Sequence, residues 1–176
     1  TTISLSLPRA LALSMNQITI IGLIALAGSL ASGSIAIYIF SFNLQAVPLA
    51  IIGASYSVAA FPTLALAFSG GRRDEFIAHI ATAARYVFFW SLPITAIIIV
   101  LRAHIVRVIL GSGAFDWTDT RLTAAAFALL SLSLVAQGLT LLLVRGYYAS
   151  GRTFVPLFVS FFVMVGTISG AFMLVH

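Results

Sequence analysis

Four carboxylates and three imidazoles make up the acid–base and metal-binding chemistry of this sequence: Asp74, Glu75, Asp116 and Asp119, with His79, His104 and His176. No two carboxylates lie inside an apolar run, where a proton relay or a membrane-embedded general acid and base would need them. The imidazoles are scattered without ligand spacing. With no Cys there is no thiolate nucleophile, zinc–thiolate site or disulfide framework. The residue types therefore predict no catalytic group, no metal and no cofactor, so the chain does not read as an enzyme. Asp116 and Asp119 read as turn and N-cap groups; Asp119 precedes an apolar run, where its oxygen would accept a free helix N–H.

The remaining polar candidates are neutral. Asn16, Gln17 and Thr19 lie in one apolar run, Asn43 and Gln45 in the next, and Gln137 in a later one. An amide facing acyl chains is costly, so each is expected to face another helix or a cavity. Two readings stay open: interhelical hydrogen bonds worth roughly 0.5–2 kcal/mol each, or a polar patch on a substrate path. Asn43, Gln45 and Pro48 tilt their helix toward the second reading, because a kinked helix carrying amides can line a cavity.

The net charge of +5 comes from nine basic residues, every one an Arg. They sit singly or in pairs at the ends of apolar runs, as anchors and topology signals do, so nucleic acid is not an expected partner. Arg9, Arg72, Arg73, Arg145 and Arg152 would share one membrane face, against Arg102, Arg107 and Arg121 on the other. The bias places the N-terminus and the connections near residues 70 and 150 in the cytoplasm.

These residues need elements to hold them, and composition names the solvent those elements meet. Apolar residues are 61% of the chain, charged residues 7%, and the mean hydropathy is +1.16. A soluble domain is about a quarter charged. In hydrocarbon every backbone polar group must be paired internally, leaving helices or closed barrels, and the long unbroken apolar runs choose helices. The expectation is an all-α, polytopic transmembrane helical bundle of about five spans. Its helices are predicted at about 10–31, 35–68, 79–107, 119–145 and 153–175, forming a single transmembrane domain over 1–176. Ser32-Gly33-Ser34, Gly70-Gly71 and Ser150-Gly151 mark turns, Pro48 and Pro62 mark kinks, and residues 76–80 suggest an interfacial lead-in. Arg85 and Arg102 are expected to snorkel from the third span. Gly166-x-x-x-Gly170 reads as a close-packing motif in the last. A start at Thr1 and a stop directly after an apolar run suggest a piece of a longer protein, with no signal peptide expected.

Several segments together resemble the MurJ/MviN family of lipid II flippases, within the superfamily of multidrug, oligosaccharidyl-lipid and polysaccharide exporters. Leu7-Pro8-Arg9 with Asn16-Gln17-Ile18 is similar to the entry to that family's seventh helix. Ala31-Ser32-Gly33-Ser34, then Asn43-Leu44-Gln45-Ala46-Val47-Pro48-Leu49 and Ala60-Phe61-Pro62-Thr63-Leu64, look like the eighth. Gly113-Ala114-Phe115, Asp119-Thr120 and Thr123-Ala124 resemble the outer loop and tenth helix. Tyr147-Tyr148-Ala149 with Thr153 and Pro156 resembles the entry to the eleventh. The resemblance implies part of the second half of a two-lobed fold in a bacterial cytoplasmic (inner) membrane, partnered by missing N-terminal helices of the same protein. It implies flipping of a polyprenyl-pyrophosphate-linked peptidoglycan precursor, lipid II, by alternating access, with membrane lipids around it. The substrate's tail would lie between the first two helices.

On that reading Gln17, Asn43 and Gln45 would line the path. Arg145 and Arg152 would either draw the anionic head group to the cytoplasmic mouth or serve as topology anchors. The chain also departs from the family's pattern: Asn43 stands where a cavity Arg is usual, Ser112 replaces an Arg, Arg152 replaces an Asp, and Gly22-Leu23 occupies a region where an acid is expected. The alternatives are an exporter of another polysaccharide lipid or a drug, a membrane enzyme acting on polyprenyl phosphates, and a scaffold without transport activity.

Overall fold

Hydropathy of this kind leaves the backbone no partner but itself, and the chain folds accordingly. The computed structural model describes residues 2–111 and 116–175, with side chains over 10–111 and 116–174. Every regular element among the described residues is helical: α1 (Thr2–Gly28), α2 (Ser34–Leu49), a π-helical turn (Ala50–Ala54), α3 (Ser55–Ser69), α4 (Arg73–Leu110), α5 (Trp117–Ser131), α6 (Leu134–Ala149) and α7 (Phe154–Val175). The side chain of Arg9, the Ser112–Phe115 segment and His176, all used in the sequence reading, lie outside the described residues.

Four stretches are long and apolar enough to cross a membrane: Ala10–Gly28, Ser34–Ser69, Arg73–Leu110 and Phe154–Leu174. The pair α5 and α6 makes a fifth if its two halves count as one span, bent by 46°. The protein is thus an all-α polytopic membrane protein.

The turns stand where small residues place them. Gly33 and Gly71 take φ of +91° and +69°, values a side chain would disfavour. Asp74 and Glu75 occupy the first turn of α4, where the positive end of the helix dipole favours them. The expected lead-in at 76–80 is not a separate piece: α4 runs unbroken for 38 residues, about 57 Å at 1.5 Å per residue. At α5 the cap is Asp116, not Asp119. Asp116 Oδ1 accepts from Asp119 N at 2.8 Å while Asp119 Oδ2 accepts from Asp116 N at 3.3 Å, a reciprocal capping box.

Three irregularities decide how the spans are built. The second span carries the π turn two residues after Pro48, while Pro62 lies inside α3 without interrupting it. The span expected to be continuous over 119–145 instead breaks at Leu132–Ser133.

The chain divides into two compact units. The first comprises residues 1–35 and 147–176, where α1 packs along α7. Gly22 lets the two helices approach: a Cβ there would stand 3.2 Å from Ile168 Cδ1. The second unit, Ala36–Gly146, holds the rest. On α4 its buried face is Ala83, Val87, Ser91, Thr95 and Ile98, repeating at four and three residues as a single helix face does. Leu134, Gly138, Leu142 and Gly146 give α6 a matching stripe. Ile98, Val106, Ala124, Phe127 and Leu134 form its apolar centre, and Tyr56 of α3 stacks on Tyr86 of α4 with centroids 5.8 Å apart.

Candidate functional site

The polar residues of the second unit converge on the broken span. Ser41 and Gln45 stand four residues apart on α2 and are both buried, at 0% and 1% exposure. Ser41 Oγ donates to the carbonyl of Ile37 in its own helix at 2.7 Å and lies 3.1 Å from the carbonyl of Thr123 in α5. One turn further on, Gln45 Nε2 donates to the carbonyl of Leu130 at 3.0 Å and to Ser133 Oγ at 3.2 Å. From α4, Thr95 Oγ1 donates to the carbonyl of Ser131 at 3.4 Å.

Ser133 is the centre of this arrangement. Its hydroxyl donates to the carbonyl of Leu130 at 2.6 Å and accepts from both Gln45 and Gln137. A hydroxyl has one proton to give and two lone pairs to offer, so Ser133 is fully used. In an uninterrupted helix the carbonyls of residues 130 and 131 would accept from the N–H groups of 134 and 135. Here the backbone tightens instead, Leu132 N and Ser133 N bonding three residues back to Leu129 and Leu130, and side chains supply the rest. A side chain entering the helical ladder is a recognised cause of a sharp bend.

Gln45 and Asn43 do not share a face of α2. Two residues apart on a helix, they point about 200° apart: Gln45 is buried in the break, while Asn43 is exposed. Gln17 is exposed on α1 in the first unit, and Arg145 is half-buried near the end of α6 in the second. The structure brings Gln45 together with Ser133, Gln137 and Thr95. Sequence reading missed Ser41, Thr95 and Ser133. The available signals were the four-residue spacing of Ser41 from Gln45 and the Ser131-Leu132-Ser133 triplet inside an apolar run.

Charge lies elsewhere. His79, His104, Asp74 and Glu75 are exposed, Arg72 Nη1 pairs with Glu75 Oε2 at 2.8 Å beside the α3–α4 turn, and Arg102 Nη1 donates to its own helix at Ile99 O. Among the described residues no three His, Asp or Glu side chains gather as metal ligands would. Two grooves of the second unit, about 730 and 260 Å³, are walled almost wholly by apolar side chains, with Arg85 the charged residue on the larger.

Apolar spans, a broken helix satisfied by polar side chains, and no clustered acid–base groups among the described residues define a polytopic membrane protein. Comparison with known proteins sharpens that class: the family described as Lipid II flippase MurJ matches residues 1–176, and the chain belongs to it. It is 28% identical over 154 residues to a probable lipid II flippase MurJ of Rhizobium tropici, covering 87% of this chain and 28% of that one. It is 31% identical over 137 residues to that of Rickettsia prowazekii (78% and 27%), and 27% identical over 158 residues to that of Buchnera aphidicola subsp. Baizongia pistaciae (90% and 31%). The chain thus spans under a third of the length of these relatives. No solved structure matches it significantly.

Proposed function

We propose that this chain is part of a transporter that moves a polyprenyl-pyrophosphate-linked glycan, the peptidoglycan precursor lipid II, across a bacterial cytoplasmic membrane. The observation that carries the reading is the family match over all 176 residues, in a chain whose helices have the length and hydropathy to cross a bilayer. Transport asks for no covalent chemistry, in keeping with carboxylates confined to helix starts and turns. The movement is alternating access, with the rest of the protein supplying the other lobe, and the chain acts as one transmembrane piece of that assembly.

Within it, Gln17, Asn43 and Arg145 meet the head group or its path, as hydrogen-bonding and cationic groups suited to an anionic pyrophosphate. Gln45 serves the same transport differently, by bracing the broken span. The connections near residues 70 and 150 face the cytoplasm, following the Arg bias.

Complementation by the full-length protein tests this reading. In a host depleted of its own lipid II flippase, expression is expected to restore growth and cell shape. Well-expressed, membrane-inserted protein that leaves the cells to lyse would refute it.

A further inference from the structure

We propose that the Leu132–Ser133 break is a latched bending joint, with Gln45 as the latch and the Gly53–Gly138 crossing as its fulcrum. Two independent features meet there. The first is that both crossing spans are irregular at the same level of the second unit: one carries the π turn Ala50–Ala54, which contains Gly53, and the other carries the break five residues before Gly138. Insertions of this kind recur at functional bends. The second is how closely the two backbones approach. A Cβ on Gly53 would stand 2.9 Å from Gly138 Cα, and one on Gly138 would stand 3.6 Å from Gly53 Cα. Neither glycine puts a side chain into the crossing itself, so the two backbones touch there, with Leu141 and Val87 packed beside the contact.

The latch follows from which groups the carbonyls of 130 and 131 bond. While α5 and α6 are bent by 46°, Leu130 O accepts from Gln45 Nε2 and Ser131 O accepts from Thr95 Oγ1. Straightening the span returns those carbonyls to the N–H groups of residues 134 and 135. Gln45, at 1% exposure, would then lose Leu130 O as an acceptor, a costly outcome for a buried amide donor. The bent form is thus held by Ser133 together with groups on α2 and α4, the straight form by the helix's own ladder. Two arrangements, each with its carbonyls satisfied, make a two-state element. Gln45 sits on the span that carries the π turn, so bending of one span is tied to the other. The joint does not depend on what the protein transports.

Distance measurement by electron–electron double resonance on the full-length protein in nanodiscs tests this. Cysteines for spin labels replace Leu122 on α5 and Leu143 on α6, which are exposed at 51% and 47%, and any native cysteine elsewhere in the protein is replaced. A pair at Ile77 and Val100 within α4, exposed at 63% and 76% and about 35 Å apart along the helix, serves as control. Wild type is expected to show mainly the shorter, bent separation between 122 and 143. Gln45→Leu raises the longer, straight population at least threefold, Thr95→Val raises it less, and the control pair does not move. A wild-type distribution in Gln45→Leu at an unchanged melting temperature overturns the latch and leaves a static brace. Should Gln45→Leu not fold, Gln45→Asn and Ser133→Ala are measured the same way. A shift toward the longer separation in them supports the joint, and unchanged distances in both overturn it.

Discussion

A Cβ placed on Gly53 would stand 2.9 Å from the Cα of Gly138, so the π turn of one span and the second half of the broken span touch backbone to backbone. The two sides of this contact are not equivalent. Gly53 would meet backbone, which cannot give way, whereas the tightest contact of Gly138 is the side-chain atom Val87 Cγ1 at 2.9 Å. Gly53→Ala is therefore expected to cost about 1–3 kcal/mol by overpacking, seen as a lower melting temperature in detergent. Gly138→Ala costs a similar amount, but Val87→Ala in the same chain recovers much of it. Equal rescue of both glycine variants by Val87→Ala would contradict this geometry.

Thr120 and Thr123 are both fully buried on one face of α5, yet only one hydroxyl is used. Thr120 Oγ1 donates to the carbonyl of Asp116 at 2.8 Å, while Thr123 Oγ1 has no partner among the described residues. An unsatisfied buried donor is a liability, and an apolar group of the same shape removes it. Thr123→Val is expected to leave stability unchanged or raise it by about 1 kcal/mol, whereas Thr120→Val lowers it by roughly 0.5–1.5 kcal/mol. Denaturation in mixed micelles gives the comparison, and the reverse order would show that Thr123 is bonded in the membrane.

The capping box at the start of α5 closes two free N–H groups at once. Asp116→Ala should lower stability by roughly 0.5–2 kcal/mol, with Asp116→Asn much milder because the amide oxygen can still accept. Asp119→Ala removes only the longer, 3.3 Å arm and should cost less. Since the two arms belong to one motif, the double variant should fall short of the sum of the singles. Strict additivity would argue against reciprocal capping.

On the transport reading, Asn43 and Gln45 should separate cleanly. Asn43→Leu is expected to lower complementation of a flippase-depleted host several-fold while the amount and melting temperature of the protein stay near wild type, because Asn43 is exposed. Gln17→Leu and Arg145→Gln should weaken growth in the same way. Gln45→Leu should instead lower stability along with activity. Normal growth with Asn43→Leu would remove that residue from the path.

Much of this fold could be read from residue types, because in hydrocarbon an apolar run has few alternatives to a helix. Gly33 and Gly71 lie at the turns that their flanking Ser and Gly residues suggested. The break at Leu132–Ser133 could not be read. No Pro or Gly marks it, and its carbonyls are held by Gln45 and Thr95, side chains remote in sequence whose reach depends on packing. Asp119 lies just before the charge-free run that starts at Leu122, but the box closes three residues earlier, where Asp116 turns extended. Asn43 and Gln45 are both expected on the path from residue type, yet they take different faces of α2. Which face would be buried depended on where α5 lay.

The split of one span into α5 and α6 also bears on how the protein enters its membrane. Fifteen and sixteen residues make rods of about 22 and 24 Å, each short of a hydrocarbon core of about 30 Å. Neither half is long enough to cross the bilayer alone, and besides Ser133 itself the carbonyls bared between them find donors on α2 and α4. During synthesis both of those donors precede the break in the chain. The order of the polypeptide thus delivers the partners first, and the interrupted segment is made after the helices that hold its bend.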